Sequence, residues 1–217
     1  MGTKFSTRVW VSVVGIASIF FGSKGYADTV ISVADFGLKP DTRENAVAYV
    51  QKAIEACRGK EPVTLVFPEG RYDFWPQYAH EKNYYETNTY DVFPKRLAML
   101  FEGLHNITVD GNGSQFVMHD RIQPITVENC DGVTLKNFSI DWDIPLTAQA
   151  RVTKVGSDFF EIEINVLESP YIIEDGKLVF VGEGWKSALG SMIEFESDTH
   201  FVVPGTGDLV LGEYLGE

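Results

Sequence analysis

Two stretches of this chain repeat each other 26 residues apart, and that spacing constrains the fold more than any other feature. Leu104-His105-Asn106-Ile107-Thr108-Val109-Asp110-Gly111 lines up with Cys130-Asp131-Gly132-Val133-Thr134-Leu135-Lys136-Asn137. Met99 and Phe101 fall on Ile125 and Val127 at the same offset. Each copy alternates apolar and polar residues in short runs broken by Asn, Gly and Asp. A period of two marks a strand with one covered face. Repeats of this length made of short strands stack as solenoid rungs, each covering the face its neighbour leaves open. The expected architecture is all-β: a right-handed parallel β-helix.

Within the second copy, Phe138, Ile140, Trp142 and Ile144 alternate with Ser139, Asp141 and Asp143. One face would then be buried, and the open face would carry two carboxylates about 6.6 Å apart along an extended strand. Inverting glycosidases hold their acid and base at such a separation. Two solvated acids on a strand face are the plainer reading of the same pattern. Trp142 is expected to point into the core.

Upstream, residues 30–33 read as a strand. A helix follows from Thr42 or Asn45 through Cys57, with Val47, Val50, Ile54 and Cys57 forming its apolar stripe. Residues 63–67 and 71–74 read as strands around the turn Pro68-Glu69-Gly70. The next stretch is crowded with rings: Tyr72, Phe74, Trp75, Tyr78, Tyr84, Tyr85, Tyr90 and Phe93, interspersed with His80, Glu81, Asn83 and Asn88. Exposed rings beside hydrogen-bonding groups suit a pyranose, although a loop packing its own aromatics reads the same way. After Pro145 the pattern changes to longer strands at 148–155, 159–166 and 177–181. Gly156-Ser157-Asp158 and Glu174-Asp175-Gly176 are the hairpin turns, implying an inserted antiparallel β-barrel.

Composition narrows the function. Lys4 and Arg8, an apolar run at 9–21 and Gly25-Tyr26-Ala27 have the form of a secretory leader. Taking Lys4, Arg8 and Lys24 from the chain's 18 basic residues leaves 15 against 31 acids, a mature balance of −16. Such a surface repels phosphate backbones and acidic polysaccharides, so neutral sugars are the expected partner and nucleic acid is not. Export to the periplasm or the extracellular space is expected, with no membrane insertion once the leader is removed. Cys57 and Cys130 read as two buried thiols. No metal site and no cofactor are expected. The domains read as 1–27 leader, 28–146 cap and first rungs, and 147–217 barrel-like insertion.

Val33-Ala34-Asp35-Phe36-Gly37 and Leu65-Val66-Phe67-Pro68-Glu69-Gly70-Arg71-Tyr72 resemble the amino-terminal end of pectate-lyase-like β-helix proteins. More discriminating are Tyr72-Asp73-Phe74-Trp75-Pro76-Gln77-Tyr78-Ala79-His80, His119-Asp120-Arg121-Ile122-Gln123-Pro124 and Asp141-Trp142-Asp143-Ile144-Pro145. With Asp110-Gly111-Asn112-Gly113-Ser114, these resemble the α-1,3-galactosidases of glycoside hydrolase family 110, over nearly all of the mature chain. The resemblance implies an exo-acting, inverting hydrolase releasing terminal α-1,3-linked galactose from galactose-terminated glycans, on a parallel β-helix with β-barrel insertions. Full chains of that family are much longer, so this chain reads as an amino-terminal fragment with the catalytic aspartates beyond Glu217. Within the chain Asp141 and Asp143 are the catalytic candidates. Arg121, Gln123, Asp141, Asp143, Trp75 and His80 are the candidate substrate contacts. Two alternatives stay open. One is a non-catalytic carbohydrate-binding or structural fragment. The other, disfavoured by the missing basic cluster, is a polysaccharide lyase.

Overall fold

The computed structural model describes residues 29–84, 93–206 and 209–210. The leader and Tyr85, Asn88 and Tyr90 lie outside them, and Phe93 is described by its backbone alone.

Strand β1 (Thr29–Ser32) runs into a 3-10 turn (Val33–Phe36) that is capped at both ends. Ser32 Oγ accepts from the Ala34 amide, Asp35 accepts from the Ser32 amide, and Gly37 closes the turn at φ 93°. Helix α1 (Val47–Cys57) follows. It starts later than the sequence suggests, and the side-chain oxygen of Asn45, just ahead of it, accepts from the Val47 amide at 3.2 Å and from the Trp75 amide. Its buried face is the expected stripe, with Ala53 added.

The strands β2 (Val63–Val66), β3 (Arg71–Phe74), β4 (His80–Tyr84), β5 (Phe93–Glu102), β6 (His105–Met118), β7 (Gln123–Glu128) and β8 (Asp131–Trp142) come next. β1, β2, β6 and β8 pair in parallel in that order, and β3 also joins β6 in parallel. In a second sheet β5 is parallel to β7 and antiparallel to β4. The 26-residue repeat is the pairing register itself: Ile107 faces Val133, and Met99 faces Ile125. Further along, Ser114 faces Phe138, because Gly111-Asn112-Gly113 of β6 stand opposite Asn137 alone.

Left-handed residues turn the corners, and one repeat substitutes one kind for the other. Gly103 (φ 63°) is matched by Asn129 (φ 51°), and Asn106 (φ 48°) by Gly132 (φ 69°). Gly and Asn are the residues that enter this region at least cost, which is why the corners read as Asn and Gly in the sequence. The repeat also stacks Glu102 on Glu128, and Lys82 from β4 bridges both at 2.8 and 2.7 Å.

Phe116 centres the core. Its ring lies 4.7 Å from Phe67, 5.7 Å from Phe74 and 4.7 Å from Phe138, and α1 closes one side with Val50 and Ile54. Phe138 and Trp142 pack on this core as their alternation predicts. Ile140 does not: it is 38% exposed, and among the described residues β8 pairs with β6 alone. The aromatic run is also split. Tyr72 and Phe74 are buried core, the packed alternative rather than the exposed platform, since β3 lies parallel against β6. Burial pushes the Tyr72 hydroxyl up to about 12, and it donates to the Pro68 carbonyl.

Beyond Pro145 the pairing is antiparallel. β9 (Arg151–Val155) pairs with β10 (Phe160–Glu163), and β11 (Tyr171–Glu174) with β12 (Lys177–Gly182) and then β13 (Trp185–Ala188). A last pair joins β14 (Ser191–Met192) to β15 (Leu209–Val210). β9 and β10 are shorter than their alternation suggests, β12 runs one residue longer, and the turns are as read. Asp175 and Gly176 have φ 52° and 69°, the backbone of a two-residue hairpin turn. Strand therefore dominates over helix. Among the described residues no helix is long and apolar enough to cross a membrane.

Candidate functional site

Asp73 sits between Tyr72 and Phe74 on β3 and is 1% exposed. A carboxylate that deep must be paired and hydrogen-bonded. Arg71, two residues away on the same face, grips it with Nε at 3.0 Å and a terminal nitrogen at 2.6 Å. His119, 2% exposed and just past β6, brings Nε2 to 2.9 Å from the same oxygen. Burial alone would raise the Asp73 carboxyl, but the bonds from Arg71 and His119 outweigh it and hold the group below its ordinary range.

Two more acids complete the cluster. Glu183, at the tip between β12 and β13, places Oε2 2.7 Å from His119 Nδ1. That tip rests on Asp120, where a Cβ on Gly184 would fall 2.4 Å from a carboxylate oxygen. Glycine at 184 takes the left-handed φ of 71° and leaves room for the Asp120 carboxylate beneath the tip. Asp143 shares that same terminal nitrogen of Arg71, also at 2.6 Å, and meets Arg43 at 3.6 Å. Trp75 lies flat on the imidazole, centroids 3.8 Å apart, with its backbone fixed on both sides by Asn45.

Both ring nitrogens of His119 face carboxylates, Nε2 meeting Asp73 and Nδ1 meeting Glu183. Three acids thus meet two guanidinium groups, Arg71 and Arg43, and one imidazole. The donor atoms of His119, Asp143 and Glu183 lie within 4.8 Å of one another, close enough for a cation. The Arg71 guanidinium already brings a positive charge to Asp143 there. The same spacing puts Asp143 and Glu183 closer together than the roughly 6.5–9.5 Å that inversion needs for a water between acid and base. His119 is sealed from solvent. Its outer neighbours Arg71, Asp143 and Glu183 keep 25–32% of their side chains open and can meet hydroxyl groups.

The residues singled out from the sequence are dispersed around this cluster. Asp143 and Trp75 belong to it, Asp143 just beyond β8 and Trp75 with one ring face on His119. Asp141 is exposed on β8, and its carboxylate accepts from the Trp142 amide. The indole nitrogen of Trp142 donates to the Asp120 carbonyl, which places that side chain in the core. Arg121 is exposed beside the cluster, and Gln123 donates to Thr126 at 2.7 Å. His80 lines a separate cavity of about 140 Å³ with Gln51, Arg58 and Glu102. Both cysteines are free, and Cys130 is half-buried rather than buried. Arg71, Asp73 and Glu183 were not singled out. A lone acid inside an apolar strand run was the available signal for Asp73; Glu183 gives no sign beyond its flanking glycines.

A family model described as GLAA-B beta-barrel domain I matches residues 148–216. The chain is 60% identical over 182 residues to an Alpha-1,3-galactosidase B of Bacteroides thetaiotaomicron, covering 84% of this chain and 30% of that protein. It is 36% identical over 169 residues to an Alpha-1,3-galactosidase A of Shewanella woodyi, covering 77% and 28%. An Alpha-1,3-galactosidase B of Phocaeicola vulgatus matches at 36% over 205 residues, covering 93% and 32%. The chain thus spans about a third of the length of the curated relatives it matches.

Proposed function

This chain is homologous to part of the alpha-1,3-galactosidases, and from that premise we propose that it forms one portion of an exported, exo-acting, inverting α-1,3-galactosidase. The substrate is a glycan ending in α-1,3-linked galactose, branched or linear. The 60% identity across most of the chain carries the reading. The parallel pairing in a 26-residue register supports a right-handed parallel β-helix, and the hairpins from β9 onward, with the family match, support a β-barrel inserted into it. In such an enzyme one carboxylic acid protonates the glycosidic oxygen while a second carboxylate activates water on the opposite face of the sugar. The Asp143–Glu183 pair is too close for that work. The cluster's role is to brace the β12–β13 tip against the parallel sheet and to offer Arg71 and Asp143 to sugar hydroxyls. The catalytic aspartates belong to the part of the relatives that this chain does not span. Residues 1–27 act as a leader that delivers the protein to the periplasm or beyond.

The test is hydrolysis of a Galα1,3Gal disaccharide, followed by NMR of the anomer first released. The full chain is compared with a version extended to the relatives' length. β-Galactose from the extended protein alone is the expected result. β-Galactose from the full chain would place the acids within it and return Asp141 and Asp143 to first place. No release from either would overturn the reading.

A further inference from the structure

On the outer side of α1, away from His119, a cleft of about 370 Å³ is lined by Glu44, Asn45, Ala48, Tyr49, Lys52 and Tyr78. Tyr78 is its unusual member. Its backbone is left-handed at φ 69° and its side chain is 75% exposed. A bulky residue in that conformation is strained, and so exposed a ring recovers little of the strain by burial. The conformation is nevertheless held firmly. Gln51 of α1 donates to the Tyr78 carbonyl at 2.9 Å, and Asn45 donates to the Gln77 carbonyl at 2.9 Å. The helix therefore presents this ring beside Tyr49, which is itself seated against the core.

We propose that this cleft is an accessory binding site for a neutral pyranoside, taken up by stacking on Tyr78 and Tyr49. A pyranose has a face of C–H groups that covers a ring, and a rim of hydroxyls that needs both donors and acceptors. Lys52 supplies the donor and Glu44 the acceptor. Their charges cancel, which suits an uncharged sugar and gives no advantage to a phosphate or a uronate. In galactose the axial hydroxyl leaves the C3, C4 and C5 hydrogens on one face, the surface such a ring covers. That choice of sugar rests on the function proposed above. With Glu44 the one carboxylate among its described lining residues, the cleft binds without cleaving, and it anchors a glycan chain while another part of the protein acts on its end.

Methyl α-galactopyranoside and methyl α-glucopyranoside are the probes, each titrated into the full chain and followed by saturation-transfer NMR. The expected result is millimolar binding of the galactoside, with transfer strongest at H3, H4 and H5. Tyr78→Ala weakens it about tenfold, the scale of one aromatic contact. Tyr78→Gly separates binding from folding: it weakens binding about as much as Tyr78→Ala while raising the melting temperature, because glycine relieves the left-handed backbone. Absence of binding by the unaltered chain, or unchanged binding in Tyr78→Gly, overturns the site. Tyr78-dependent binding of the glucoside alone supports the site and counts against the galactoside reading of the whole protein.

Discussion

Asp73 shows how much one side chain can organise. It joins β3 to the end of β6 through His119, and His119 joins them to the β12–β13 tip through Glu183. Asp73→Asn leaves Arg71 and His119 without their shared charge and is expected to cost about 3 kcal/mol, measured by urea denaturation at neutral pH. The acid limb gives an independent check. The folded-state pKa of Asp73 is depressed, so its stabilisation is fully present above the unfolded value near 3.9 and drains away as pH falls through the folded value. The chain should lose stability steadily below about pH 4, and Asp73→Asn should flatten that limb. Cys57 makes a second test. It is wholly buried in α1, and burial pushes its thiol up to about 11. A disulfide reagent at pH 8 should modify the half-buried Cys130 in the folded protein and leave Cys57 untouched until unfolding. Sequence reading found Trp75 and Asp143 but not their purpose. Which acid faces which imidazole nitrogen depends on chain segments 46 and 64 residues apart, and no local pattern encodes that.

The elements were far more legible. Local rules govern α1, the Asp175-Gly176 hairpin and the register of β6 on β8, and each appears in the sequence as a stripe, a turn pair or a repeat. The missing information was which neighbour covers each face, hence the exposed Ile140 and the buried Tyr72. Two glycines separate the physical demands of a corner. Gly59 is left-handed at φ 74° with nothing near its missing Cβ, so Gly59→Ala should cost about 1 kcal/mol of backbone strain. Gly111 has ordinary dihedrals, but a Cβ there would meet the Phe138 Cβ at 2.5 Å and the Asn137 carbonyl oxygen at 2.7 Å. Neither obstacle can swing aside, and Gly111→Ala should cost about 3 kcal/mol. Equal thermal shifts in the two variants would contradict this assignment.

Across the whole molecule, burial is concentrated in the parallel part. The ring cluster around Phe116 lies there, whereas Val155, Leu167, Ile173 and Phe201 of the antiparallel part stand 47–86% exposed. Native-state hydrogen exchange should therefore be slowest in β2 and β6 and faster by orders of magnitude in β9 and β10. Uniform protection would refute that division. The corner where three residues of β6 face one of β8 carries a last consequence. The two strands differ there by an even number, so parity is conserved: Phe116 and Met118 still point inward on one rung, as Phe138 and Trp142 do on the next. Insertions and deletions at this corner thus obey an arithmetic rule. Losing a pair of residues shortens the perimeter and spares the core; losing one turns the rest of the strand inside out.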